Sequence, residues 1–366
     1  MPNTAKHLMI GSTAAYSGKS TLSVAIGSQL QAMAFQVGWG KPLASVDAFG
    51  YGLDVTDGDL TFIPTTLELN AAQQSPNLLS LNRQSWMERI QHPAASSLSA
   101  ALDEYWHQVE GDVCLLEGPS NLEEGALFNL SLPEMASALE AKVLLVIHSN
   151  TVGMIDQLVA AQKRLGPALL GVILNEVSEA DDELTRNTIA PYLEQLAIPV
   201  LGILPELSFL QGIRVSELVR YLDADVLCGE DHLDLVVESL KIGAMNVNSA
   251  LRFFGQGTHQ AVVTGGDRRD LQIAALETST HCLILTGQIA PNKDVLNLAR
   301  EKEVPVLSVI TDTLSTVERI DMLFGRLPLN NADKIPLIKQ YLAPQIDMAR
   351  LLRLIGLEKP AIAPYS

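Results

Sequence analysis

Cysteine, positive charge and long apolar runs are all scarce in this sequence, and each scarcity closes off a class of protein. The three cysteines, Cys114, Cys228 and Cys282, are far apart, odd in number and set among apolar neighbours, so they supply neither a disulfide framework nor a CxxC metal site. They read as reduced core residues. Lys and Arg number 25 against 42 Asp and Glu, a formal net charge of −17, and such a surface repels phosphate backbones and acidic bilayers. No nucleic acid and no membrane are therefore expected as partners. Nowhere do about 18 apolar residues run together, and the opening MPNTAKHLMIGSTAAYSGKST lacks the unbroken apolar stretch of a signal peptide, so a cytoplasmic protein is expected. The seven histidines show no HxH, HExxH or mixed His/Cys ligand spacing, and no GxSxG elbow presents a serine as a nucleophile. His148, which follows an apolar run, reads as a satisfied core-edge histidine rather than a base.

Apolar residues, by contrast, make up 47% of the chain and charged ones 18%, which excludes disorder, and 366 residues correspond to two domains or three small ones. Through the first 205 residues, short apolar runs alternate with longer stretches of helical period. That is the pattern of a parallel sheet wrapped by helices on both faces. Strands are expected at 7–10, 36–37, 113–116, 143–147, 170–174 and 200–204, and helices at 22–33, 98–109, 154–165 and 182–196. Residues 54–97, rich in Asn, Gln, Ser and Pro with little period, are expected to form a long, partly helical excursion of the kind that carries substrate contacts. After Pro205-Glu206 the rhythm pauses and a second set begins, with strands at 226–227, 260–263, 282–285 and 306–309 and helices at 247–254, 270–277, 295–302 and 315–324. The ending contains IPLIKQYLAPQIDMARLLRLIGL, apolar at helical spacing around Pro344. The expected domains are 1–206, 207–331 and a helical tail, 332–366.

The strongest local signal is Gly11-Ser-Thr13-Ala-Ala-Tyr-Ser17-Gly18-Lys19-Ser20-Thr21, between an apolar strand and an amphipathic helix. A phosphate loop needs this context: backbone amides and a helix N-terminus wrap the phosphates, and a lysine reaches the β and γ oxygens. Gly18 gives backbone clearance, Lys19 the cation, and the Ser20 hydroxyl a ligand to magnesium, while Thr13, Ser17 and Thr21 complete the cradle. The spacing is irregular, with six residues between Gly11 and Gly18 where the standard pattern has four, and Thr13 takes the usual outer position. The plain alternative is that Gly-Lys-Ser-Thr merely starts a helix.

Acidic partners for the metal come from two places. Glu117 follows the run 113–116, at a strand's carboxyl end across the crevice from the loop, or is an ordinary solvated carboxylate there. Asp54-Val-Thr-Asp57-Gly58-Asp59 sets carboxylates around a glycine and reads equally as a solvated turn. Lys41, in Trp39-Gly-Lys41-Pro-Leu-Ala-Ser45, is a second cation near the phosphates or a surface lysine. Asn175, closing the run 171–174, pairs with a purine edge or caps a strand. In the second domain, Val262-Val-Thr264-Gly265-Gly266-Asp267-Arg268-Arg-Asp270-Leu-Gln272 ends a strand, turns on two glycines able to take positive φ and starts a helix. Gly265, Gly266, Asp267 and Arg268 form a candidate second ligand site, unless the glycines only turn the chain and Asp267 only caps the helix.

Residues 264–272, with Gly243-Ala-Met245 upstream and AALETSTHCLILTG downstream, resemble the DRTGG domain of long bacterial phosphotransacetylases and some CBS-containing pyrophosphatases. The first half is similar to the dethiobiotin synthetase type of P-loop domain, including the version at the N-terminus of those phosphotransacetylases. The matching pieces are the P-loop, Lys41-Pro-Leu-Ala-Ser45, the Asp57 to Asp59 segment, Leu116-Glu117-Gly118, Gly171-Val-Ile-Leu-Asn175 and Leu201-Gly-Ile-Leu-Pro205. The resemblance spans about residues 5 to 330. It implies an α/β P-loop fold followed by a smaller α/β domain. It places Lys19 on phosphates, Ser20, Asp59 and Glu117 around magnesium, Lys41 near the transferred group, and Asn175 and Pro205 at the nucleotide.

Two departures bear on activity. Dethiobiotin synthetases carry a glycine-rich loop after the strand-end glutamate, whereas this chain reads Glu117-Gly-Pro-Ser-Asn121, and relative to theirs its P-loop carries one extra residue between the outer glycine and Gly18. The first expectation is a cytoplasmic ATP- and magnesium-binding regulatory protein, at most a slow ATPase, that forms homo-oligomers and offers its DRTGG domain to a regulatory protein or a small molecule. The alternative is an ATP-dependent ligase of the dethiobiotin synthetase or cobyrinic acid a,c-diamide synthase kind. Acetyl transfer belongs, in the long phosphotransacetylases, to a further C-terminal domain, and the short stretch after Leu329 leads us to expect none here.

Overall fold

The computed structural model describes residues 5–45, 57–92, 98, 101–102, 104–105, 109–149, 152–324 and 333–357. They form two compact units, Met1–Glu206 with Pro328–Ser366, and Leu207–Leu327.

Among the described residues, nine strands belong to the first unit: β1 (Lys6–Ser12), β2 (Val37–Gly40), β3 (Leu43–Ser45), β4 (Gln74–Ser75), β5 (Leu79–Leu81), β6 (Val113–Glu117), β7 (Lys142–His148), β8 (Leu169–Val177) and β9 (Val200–Pro205). Seven of them make one sheet in the order β4, β2, β6, β1, β7, β8, β9, with every pairing parallel. Strands buried on both faces need no polar alternation, which is why β7 reads Val-Leu-Leu-Val-Ile and buries all five. Helix α1 (Lys19–Ala32) covers one face, where a Cβ on Gly27 would meet Leu67 at 2.7 Å and Leu115 at 3.4 Å. The other face packs Met9, Cys114 and Leu116 against Leu132, Met135 and Leu158.

The expected strand 36–37 is displaced to Val37–Gly40, since Gly38 and Gly40 mask its apolar character. Within the expected excursion, helices α2 (Asp59–Thr66) and α3 (Arg83–Gln91) alternate with β4, at the sheet's edge, and β5, which pairs with β3. Asp54 and half of the expected helix 98–109 lie outside the described residues. The expected helix 182–196 is Glu179–Leu184 and Ala190–Gln195 joined by a π turn, Thr185–Ile189, just before Pro191, which has no amide to give the ladder. Pro344 follows a second π turn, Ile338–Leu342, in the same way. The segment 333–357 belongs to the first unit. There, the Asp347 amide donates to the Leu201 carbonyl at 2.8 Å and the Arg350 guanidinium to both Glu194 oxygens, at 2.7 and 2.8 Å.

In the second unit, β10 (Ile213–Arg214) pairs with β12 (Val236–Val237), and a five-stranded sheet runs β11 (Asp225–Cys228), β16 (Val306–Val309), β15 (Thr280–Thr286), β14 (Gln260–Gly265), β13 (Ser239–Gly243). Its pairings are parallel except at β11. The helices Val247–Phe254, Arg269–Leu276, Lys293–Glu301 and Thr313–Asp321 follow β13 to β16 in turn, and the core joins Phe254, Leu271, Leu283 and Val295. Cys114, Cys228 and Cys282 are buried and free. Among the described residues no helix is long and apolar enough to cross a membrane.

Candidate phosphate and metal site

The loop between β1 and α1 lies at the carboxyl end of the parallel sheet, where open α/β sheets hold their ligands. Lys19, Ser20 and Thr21 form the first turn of α1, whose amides have no earlier helical carbonyl to bond, and that turn carries no acidic residue to compete for them. Gly18 precedes it at φ 95°, a left-handed conformation that glycine takes freely. A Cβ there would lie 2.5 Å from Asn175 Nδ2, so clearance at this point is a steric requirement.

Lys19 is half-buried, and its ammonium donates to Ser12 Oγ at 3.1 Å, which donates in turn to the Ser120 carbonyl at 2.9 Å. Burial holds the Lys19 ammonium below its ordinary range, with Glu117 opposing that shift and Lys41 adding to it. An arriving anion would meet a cation already partly stripped of water.

The sheet register explains how a lysine and a glutamate from different strands meet. Pairing of Trp39 with Leu115, and of Ile10 with Glu117, puts these residues on one face. Lys41 follows β2 in the same alternation. Its ammonium lies 2.8 Å from Glu117 Oε1, 2.6 Å from Asp57 Oδ2 and 3.1 Å from Asp59 Oδ2. Burial works against its charge, but the three carboxylates prevail and raise its pKa well above the usual lysine range. Lys41 is therefore buried, not a surface lysine. Desolvation, helped by Asp59, raises the Glu117 carboxyl to about 7 against the pull of Lys41.

Asp57 also accepts the Asp59 amide through Oδ1 at 3.1 Å, which fixes the start of α2, and Asp59 Oδ2 accepts the Ser20 hydroxyl at 2.8 Å. Asp59 Oδ1 and Glu117 Oε2 are buried with no hydrogen-bond partner. Two orphaned carboxylate oxygens beside a serine hydroxyl have the donor chemistry of a hard cation site. Ser20, Asp59 and Glu117 thus fit magnesium. No group of three or more His, Cys, Asp or Glu side chains is set to hold a metal alone among the described residues. Magnesium takes one or two carboxylates from protein and completes its shell with phosphates and water.

The remaining candidates lie around this centre. Asn175, buried at the end of β8, donates from Nδ2 to the Ser17 carbonyl at 2.9 Å, and Ser17 Oγ donates to the Ala14 carbonyl at 2.7 Å. Thr13 Oγ1 donates to Gln157 Oε1 at 2.9 Å, and Pro205 ends β9. Sequence reasoning passed over Ser12 and Glu124 and read His148 as a satisfied core-edge histidine rather than a base. Glu124 accepts the Ser120 amide at 2.5 Å and the Ser45 hydroxyl at 2.8 Å, tying the loop after β6 to β3. His148 contacts the phosphate loop, and its position at a strand end beside that loop was the available signal.

In the second unit, neither Gly265 nor Gly266 has positive φ, contrary to expectation. Close approach requires the second of them, since a Cβ on Gly266 would lie 2.4 Å from the Ile289 carbonyl oxygen. The Gly266 and Arg268 amides donate to the Thr286 and Gly265 carbonyls, both at 3.0 Å. Gln272 Nε2 donates to both glycine carbonyls, at 2.9 and 3.0 Å, and Arg268 donates to the Met245 carbonyl at 3.0 Å. Asp267 is exposed and makes no cap, because Arg268 occupies the N-cap position without a side-chain bond.

Comparison with known proteins agrees with this division. Residues 6–214 match the AAA domain family and residues 217–323 the DRTGG domain. A phosphate acetyltransferase from Nitratidesulfovibrio vulgaris is 25% identical over 380 aligned residues, covering 98% of this chain and 53% of that protein. One from Pseudomonas putida is 28% identical over 284, covering 70% and 40%. The chain thus spans about half or less of the length of these relatives, and the homology is to their N-terminal part. Among solved structures, the septum site-determining protein MinD of Pyrococcus horikoshii, complexed with Mg-ADP, aligns with 57% of this chain and 84% of its own at 18% identity and a TM-score of 0.34. With a P-loop at the end of β1 and the family match extending over residues 6–214, the chain belongs to the AAA domain family and carries a DRTGG domain behind it.

Proposed function

We propose that the first unit binds ATP with magnesium and that the DRTGG domain makes this a regulatory protein, answering to a partner or a second small-molecule ligand. The observation that supports this most is the joining of Ser20, Lys41, Asp59 and Glu117 by hydrogen bonds at the N-terminus of α1, where Lys19 begins the helix. On this reading the first-turn amides and the Lys19 ammonium take the phosphates, and Ser20, Asp59 and Glu117 hold magnesium. Thr13, Ser17, Gly18 and Thr21 line the loop, with Asn175 and Pro205 on the nucleotide side. Magnesium, when bound, neutralises charge on the phosphates. Lys19 and Lys41 stabilise charge on the γ-phosphoryl group if water attacks it in line, and with no residue assigned as base, turnover is slow. The turn Gly265 to Arg268 is the proposed contact point of the DRTGG domain, with Asp267 its exposed charge. Association of copies of the chain and a cytoplasmic location belong to the same proposal.

Calorimetric titration with ATP and magnesium tests it. Binding by the wild type that disappears in Lys19→Ala supports the reading; equal affinity in both contradicts it. Lys41 at the same centre favours an ATP-dependent ligase as the second reading, and ADP release that depends on added amine and bicarbonate would establish it.

A further inference from the structure

We infer that His148 and Asn175 preset the phosphate loop by holding two consecutive loop carbonyls, His148 acting as a doubly protonated imidazolium clamped between Tyr16 and Glu176. The inference rests on the nucleotide reading above for its functional consequence and on the loop geometry for its structural part.

His148 and Asn175 are paired across β7 and β8, so both side chains leave the sheet from the same place. His148 Nε2 lies 2.9 Å from the Tyr16 carbonyl oxygen, and Asn175 Nδ2 donates to the Ser17 carbonyl oxygen at 2.9 Å. In a trans peptide the carbonyl and the following amide point to opposite sides. Drawing the Tyr16 and Ser17 carbonyls toward the strand ends therefore turns the Ser17 and Gly18 amides the other way. Tyr16 and Gly18 take left-handed φ values of 59° and 95° and Ser17 does not, the alternation that builds an anion-binding nest of amides. A tyrosine in that conformation is strained and persists only where its surroundings over-determine it. The clamp on its carbonyl does so.

The protonation state follows from the acceptors. His148 Nδ1 lies 3.0 Å from Glu176 Oε2 while Nε2 faces a carbonyl oxygen. A carbonyl has no hydrogen to give and an ionised carboxylate has none, so both ring nitrogens must carry one. Among the described residues, Glu176, on β8, is the charged group set against the ring. The loop offers it the Tyr16 carbonyl, and the helix Met154–Leu165 turns the neutral Gln157 to Thr13. The hydrogen bond to Glu176 outweighs burial and raises the His148 pKa. As pH climbs through that raised value the ring keeps one hydrogen for two acceptors, the clamp loosens, and nucleotide affinity falls.

The test is calorimetric titration with ATP and magnesium from about pH 5.5 to 8.5, with ring ¹⁵N shifts recorded without nucleotide. In the wild type the ring is expected to be doubly protonated at neutral pH, and affinity to weaken by about tenfold, the worth of one charged hydrogen bond, above the histidine transition. His148→Gln, which gives one amide hydrogen but no charge, is expected to bind ATP with a flat pH profile. Glu176→Gln is expected to move the break to lower pH, and circular dichroism confirms that each variant is folded. A singly protonated ring at neutral pH, or a wild-type profile in His148→Gln, overturns the inference. If the wild type binds no ATP, the functional reading fails, and the ring shifts still decide whether the clamp exists.

Discussion

Ser20 Oγ donates to Asp59 Oδ2 at 2.8 Å, and this bond joins the first turn of α1 to the first residue of α2. Since Asp59 Oδ1 is buried without a partner, the carboxylate is held on one side and open on the other. Asp59→Asn keeps the shape and removes the charge. It is expected to weaken magnesium-dependent ATP binding by at least about tenfold while changing metal-free ATP binding little. Titrations with and without magnesium make the comparison, and an equal effect in both would detach Asp59 from the metal.

Lys41 is the cation that balances Asp57, Asp59 and Glu117. Replacing it by Met leaves buried carboxylates facing one another, and removing one member of a buried ionic cluster costs about 3 kcal/mol. Urea unfolding is expected to show that loss, and millimolar magnesium to recover part of it in the variant. A midpoint unchanged by the substitution would mean that water already reaches the cluster.

Gly18→Ala forces a side chain into left-handed φ and drives its Cβ against Asn175 Nδ2. The conformation alone costs about 1 kcal/mol, and displacing the Asn175 bond to Ser17 adds about as much. Stability is expected to fall by about 2 kcal/mol, with ATP binding lost more completely than in Asn175→Ala. Denaturant midpoints and calorimetry read the two effects separately.

His7, on β1, is buried, and burial lowers its pKa to about 3. The folded protein therefore keeps the ring neutral while the unfolded chain takes a proton below about pH 6.5, so stability is full above that value and falls as pH drops toward 3. At pH 5.5 the expected loss is about 1.4 kcal/mol, and in His7→Leu that part of the pH dependence disappears. Urea midpoints between pH 5 and 8 measure it.

The parts of the fold visible in the sequence are those with a strong period or a demanding motif. The unbroken run 143–147 and the amphipathic helix Met154–Leu165 needed no partner to be recognised. β3 and β5, three residues each, have no period and exist because they pair with each other. β13, Ser-Leu-Lys-Ile-Gly, lies at a sheet edge with mixed burial and no clean alternation. In the site, Lys19 and Ser20 begin α1 and Glu117 ends β6, the strand and helix ends at which the sequence placed them. The grip of His148 on Tyr16 spans 132 positions in sequence, and only the neighbouring ends of β1 and β7 bring the two together. Positive φ was expected at Gly265 and Gly266 because paired glycines permit it, but packing against Ile289 is the constraint that operates.

The proposed site joins the phosphate loop to a magnesium held by Ser20, Asp59 and Glu117. A crystal structure of the protein soaked with ATP and magnesium tests it most directly. Phosphate density is expected against the amides of Gly18 to Thr21, with the metal in contact with Ser20 and the two carboxylates. An empty loop at saturating nucleotide, or nucleotide bound with Lys41 still on Glu117 and no metal beside Asp59, would contradict it.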